Sequence, residues 1–127
     1  MVFWNGAADI EVMAPVSGDI AHVWSAAEPY IAMLSDDINV YCGADGEVMS
    51  VAHGDNEERI VRIRQEDGFE SIYGNLAACY ALVGDKVLAG DVLGQTAKGE
   101  RVFYELRQEG RSIDPTYLMR PREVAGD

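Results

Sequence analysis

Basic residues are scarce in this chain: 10 Lys and Arg stand against 22 Asp and Glu, a formal charge of −12. A field of that sign repels phosphate backbones and anionic headgroups, so nucleic acid is not expected as a partner. The acidic residues are dispersed, which reads as a solvated surface and not as a disordered acidic tail. Cysteine is limited to Cys42 and Cys79, and histidine to His22 and His53. The cysteines form no CxxC pair and no His-rich zinc spacing, and are most simply small buried apolar residues, with a disulfide left open. No apolar run is long enough to cross a membrane, and the opening MVFWNGAADIEVMAP lacks the basic and continuous apolar regions of a secretory signal. A chain that opens on Phe3 and Trp4 also fits a piece cut from behind an anchor.

What the sequence does hold is short strands and turns. Its 127 residues suffice for one domain with a real core. EVMAPVSGDIAHVW has a Pro and a Gly breaking apolar runs, and NVYCGADGEVMSVAHG carries a central ADG turn. ERIVRIRQEDGFESIYGNL alternates Ile60, Arg62 and Arg64 against Val61 and Ile63, then turns at Asp67–Gly68, which predicts a hairpin. VGDKVLAGDVLG repeats a Gly-Asp pair too closely for a helix and suits consecutive tight turns. YIAML and LAACYALV are ambiguous apolar runs. A single turn over Pro115 to Met119 is expected to close the domain, with REVAGD as a frayed end. Strands this numerous predict an all-β sandwich or barrel.

In GERVFYELRQEGRSIDP, a period of two puts Val102, Tyr104 and Leu106 on one face and Arg101, Phe103, Glu105 and Arg107 on the other. The first is a core face. The second has a cation, an aromatic ring and a carboxylate available for recognition.

From Pro15 to Met119 the order of motifs resembles the lysostaphin-type metallopeptidases of family M23, the LytM domains. PVSGDI resembles the family's PVxGxI, VYCGADGEV its VxAxxxGxV, and DGFESIYGNL its GYxTxYxHL. VGDKVLAGDVLG is similar to VxxGxxVxxGQxIG, and GERVFYELRQEGRSIDPTYL to GxHLHFEVRxxGxxxDPxxYL. The resemblance implies a duplicated-hybrid-motif β-sandwich, a barrel-sandwich hybrid of mostly antiparallel strands. It sets a lead segment at 1–14, the domain at 15–120 and a tail at 121–127.

Active members of the resembled family bind zinc through HxxxD and the second His of HxH, while the first His of HxH and the His of YxHL assist the attacking water. Carried over, the resemblance places Asn75 at the YxHL histidine, beside Tyr73, and Arg101 and Phe103 at the two HxH histidines. Counting back from VYCGADGEV puts Ala27 and Ile31 at HxxxD, and a register shifted to Asp37 puts Met33 at the His. Phe103 has no lone pair to give a metal, and Arg101 adds a positive charge beside one, so neither metal nor other cofactor is expected. The face of Arg101, Phe103 and Glu105 then becomes a groove closed to zinc. A plainer reading has Phe103 filling the ligands' volume and Arg101 paired to Glu105 or Asp114.

Other constellations carry less. Gly84-Asp85 and Gly90-Asp91 follow no EF-hand pattern. The similar turns of biotinyl and lipoyl carriers flank a modified lysine, whereas only Lys86 and Lys98 exist here and the turn GADGEVMS has none. No nucleophile signature surrounds Ser71 or Cys79. The resemblance therefore implies a catalytically inactive module that binds or regulates a protein partner on the extracytoplasmic face of the bacterial cell envelope, nearest to the degenerate sporulation-type members. The alternatives are a peptidoglycan endopeptidase with a displaced metal site drawn from Asp36, Asp37, Glu105 or His22, and a non-catalytic binder of cell-wall glycan or peptide.

Overall fold

A computed structural model describes residues 11–120. Phe3, Trp4 and the closing REVAGD lie outside them. The described residues form thirteen short strands and, apart from 3-10 turns, no helix. In chain order the strands are β1 (Val12–Met13), β2 (Asp19–His22), β3 (Ile31–Leu34), β4 (Asn39–Tyr41), β5 (Gly46–His53) and β6 (Arg59–Arg64). They continue with β7 (Phe69–Leu76), β8 (Ala78–Cys79), β9 (Lys86–Val87), β10 (Val92–Gln95), β11 (Val102–Gln108), β12 (Arg111–Ile113) and β13 (Met119–Arg120). The YIAML run thus becomes a strand, and LAACYALV yields the last residue of β7 and the two residues of β8.

The main sheet runs β2-β3-β11-β7-β6-β5-β9, with β12 added to β11, and a second sheet runs β4-β10-β8. Neither closes into a barrel. All pairings are antiparallel except β1 with β13. Val12 and Ala14, inside the expected lead segment, are buried in the core. The hairpin predicted at Asp67–Gly68 is β6–β7, turned by a 3-10 segment over Glu66–Gly68 in which both Asp67 and Gly68 adopt positive φ. Pro115–Tyr117 is a second 3-10 turn, capped by Asp114 accepting from Thr116 N–H at 3.0 Å.

Period-two alternation decides which side chains enter. On β11 Val102, Tyr104 and Leu106 are buried, and on β7 Phe69, Ser71 and Tyr73 join them. Val40 of β4 and Leu93 of β10 pack into the same cluster, so the two sheets share one core. Burying a side chain such as Leu106 contributes roughly 1.5–3 kcal/mol. Tyr73 and Tyr104 meet at ring centroids 5.1 Å apart. Their hydroxyls are satisfied inside: Tyr73 Oη accepts from Gly43 N–H at 2.8 Å, and Tyr104 Oη bonds Ser71 Oγ at 2.9 Å. Cys42 is buried, Cys79 half-buried, and both are free thiols, so the disulfide left open by the sequence is absent.

Both Gly-Asp pairs are tight turns. Gly84 and Gly90 take the third position with φ of 92° and 94°. Asp85 and Asp91 then accept from the backbone N–H of Leu82 and Leu88 at 2.9 and 2.8 Å.

Candidate binding groove

The outward face of β11 borders a groove of about 370 Å³ whose walls are Tyr30, Ile60, Ile72 and Phe103, with Glu58 and Glu105 at its polar edges. The ladder explains the geometry. His22 pairs with Ala32, Ala32 with Phe103, and Phe103 with Gly74, giving one row across β2, β3, β11 and β7. Gly74 leaves the floor open beside Phe103, since a Cβ there would stand 3.6 Å from the Phe103 Cβ. Tyr30 covers the row from above, its ring 5.3 Å from Phe103 and 5.1 Å from His22.

The site residues read from the sequence separate into two groups. Asn75, Phe103 and Glu105 line the groove. Phe103 is 39% exposed, so it fills no core volume. Ile31 pairs with Tyr104 and turns into the core with it; Tyr73 is buried there as well. Ala27 sits exposed in the β2–β3 connection. Arg101 is exposed just before β11, outside the groove lining. Its expected pairing does not form, because Glu105 Oε2 accepts from Arg107 Nε at 2.8 Å and Asp114 caps the Pro115 turn. What Arg101 contributes is its carbonyl, which accepts from Asn75 Nδ2 at 2.6 Å.

Tyr30, Glu58, Ile60 and Ile72 were not read as site residues from sequence. Ile60 and Ile72 carried a signal: both are apolar on the outward phase of their strands, beside the charged Arg62 and Arg64 on β6 and Glu70 on β7. His22 carried none, since its place in the row depends on how β2 pairs with β3. On this face Arg62 is paired with Glu70 at 2.8 Å and Arg107 with Glu105. The Glu70 hydrogen bond holds the Arg62 guanidinium above its ordinary pKa.

The residues here do not fit a zinc ion. Ala32 and Phe103, adjacent across the ladder, offer no lone pair. Of the acids considered for a displaced site, Asp37 is bonded to Asn39 N–H and Tyr41 Oη, both at 3.0 Å, and Glu105 to Arg107. His22 Nε2 lies 3.6 Å from Glu28. Among the described residues no three His, Cys, Asp or Glu converge as a metal would require.

An open all-β sandwich, with a groove over the middle strands β6, β7 and β11 of its larger sheet, defines the structural class. The chain belongs to peptidase family M23, whose family model matches residues 30–115. Among solved structures it is similar to a chain of the SpoIIQ–SpoIIIAH pore forming complex, with a TM-score of 0.73 at 18% identity, covering 87% of this chain and 91% of that one. Helicobacter pylori Csd3 gives a TM-score of 0.77 at 17% identity, over 92% of this chain and 35% of that one. The catalytic domain of lysostaphin from Staphylococcus simulans gives 0.66 at 14%, over 79% and 90%. At these identities the likeness is one of fold. Among curated proteins none matches the chain.

Proposed function

We propose that this M23 domain is catalytically silent and serves in the bacterial cell envelope, on its extracytoplasmic face, as a module that binds a protein partner through the groove over β11. The observation that supports the reading is that Phe103, at the second HxH position by resemblance, offers a phenyl ring and pairs across the ladder with the methyl group of Ala32, so neither supplies the lone pair a hydrolytic zinc needs. The pairing of Phe103 with Ala32 favours Ala32, and four residues earlier Glu28, as the counterparts of HxxxD. That leaves one carboxylate, and one ligand holds no catalytic metal. The likeness to a chain of the SpoIIQ–SpoIIIAH complex supports a protein partner by analogy of fold alone. Among the described residues no helix is long and apolar enough to cross a membrane.

The test is zinc analysis of protein incubated with the metal, beside dye release from labelled peptidoglycan. Neither stoichiometric zinc nor release is expected; both together overturn the reading. Phe103→Ala should lose partner binding at a stability cost below the roughly 3–5 kcal/mol of a buried Phe→Ala, because the ring is half out of the protein. Retention on purified cell wall would favour the glycan or peptide binder instead.

A further inference from the structure

Resting on that binding role, we infer that the groove takes an extended protein segment presenting an arginine, its alkyl stem on the isoleucines and its guanidinium between the aromatic rings and the carboxylates. The apolar part is built for a stem: Ile60, Ile72, Phe103 and Tyr30 line it together with the buried Gly74. The polar part has one sign. Among the described residues no Lys, Arg or His lines the groove, whereas Glu58 and Glu105 do.

Past Asn75 the groove continues into a second hollow edged by Glu57, Glu58 and Glu100. Among the described residues its one basic residue, Arg59, donates Nη1 to the Glu57 carbonyl. The chain as a whole carries −12. Charge complementarity therefore selects a cationic occupant and rejects phosphate-bearing ones.

Glu58 is held ready for that occupant. Its backbone carbonyl accepts from Gly54 N–H at 2.8 Å, closing the β5–β6 turn, and its Oε2 accepts from Asn56 N–H at 3.1 Å. The side chain lies directly over Gly54, where any Cβ would collide with Oε1. Glu105 commits Oε2 to Arg107, and its charge also acts on Arg62. Two carboxylates beside an exposed ring suit a planar guanidinium, which stacks and donates along several directions, better than the point charge of an ammonium. The run of the groove into the second hollow calls for a segment of chain and not a single side chain.

The experiment titrates the ¹⁵N-labelled chain with acetyl-Gly-Ile-Arg-Ile-Gly-amide and with the same peptide bearing citrulline, at about 0.15 M salt so that long-range attraction is screened. The arginine peptide is expected to bind about tenfold more tightly, as loss of a charge-assisted pair would give, with amide shifts concentrated at Ile60, Ile72, Gly74 and Phe103. Glu58→Gln should lose about the same factor, and Glu47→Gln, which lies outside the groove, none. Equal binding of both peptides in the groove overturns the inference and leaves the binding role standing. Shifts spread over the acidic surface, equal losses in the two variants, or no binding of either peptide also overturn it. The binding role itself fails separately, on zinc-dependent release from peptidoglycan.

Discussion

Asn75 donates its side-chain amide to the carbonyl of Arg101 at 2.6 Å while its own backbone sits at φ 65°. It therefore ties the end of β7 to the entry of β11, where the groove meets the second hollow. An asparagine tolerates that left-handed backbone better than other non-glycine residues. Asn75→Ala should cost roughly 1–2 kcal/mol, from a lost hydrogen bond and a strained φ together. Asn75→Gly relieves the backbone and loses only the bond, so its urea midpoint should fall between wild type and alanine. An alanine variant as stable as wild type would show that the tie contributes nothing.

The hydroxyls of the two core tyrosines are unequal. Tyr73 Oη is the acceptor for the buried Gly43 N–H, so Tyr73→Phe strands a backbone donor inside the protein. The expected cost is about 1–3 kcal/mol. Tyr104 Oη bonds Ser71 Oγ, which also has Gln65 Oε1 as a partner, so Tyr104→Phe should cost less. Equilibrium urea unfolding ranks the two, and an unchanged slope would confine the difference to stability.

Much of this architecture can be read from the chain because one face of each main strand is buried. Alternation over Val102–Gln108 and the turn at Asp67–Gly68 are local signals, and both strands formed as they predict. The walls of the groove are not local. Tyr30 reaches it from the residue before β3, and His22 comes to stand against Tyr30 through the pairing of β2 with β3, which slips by a bulge between Ile20 and His22 that no spacing announces. A count without gaps set Ile31 at the groove. One residue of register turns a side chain from one face to the other, and Ile31 faces the core while Ala32 stands beside Phe103. Glu58 is placed by the Gly54 turn, a contact invisible without coordinates.

Two glycines of the VGDKVLAGDVLG segment should respond oppositely to alanine. Gly94 of β10 faces the Ala78 carbonyl so closely that a Cβ would stand 2.1 Å from that oxygen, and backbone on both sides cannot yield. Gly94→Ala is expected to split β10 from β8 and leave little folded protein. Gly84 meets nothing within 4 Å, and only its φ of 92° disfavours a side chain. Gly84→Ala should fold and lose roughly 1–2 kcal/mol, seen as a lower melting temperature with an unchanged far-ultraviolet spectrum. Equal outcomes for the two would contradict the close packing at β10.

Alkali should weaken the fold earlier than the surface charges alone would. Burial raises the pKa of Tyr73 well above its ordinary value, raises that of Tyr104 as well, and pushes the Cys42 thiol up. In the unfolded chain these groups release protons near about pH 8.5 for the thiol and pH 10 for the phenols. The native state holds them longer, so the stability they contribute is complete below those values and declines as pH rises toward the native ones. Each tyrosine adds a slope of about −1.4 kcal/mol per pH unit above roughly pH 10. Urea unfolding at pH 8 through 11 should therefore show a plateau and then a fall. Tyr104→Phe should remove one proton's worth of that slope. If the variant and wild type fall in parallel, Tyr104 does not stay protonated in the native core.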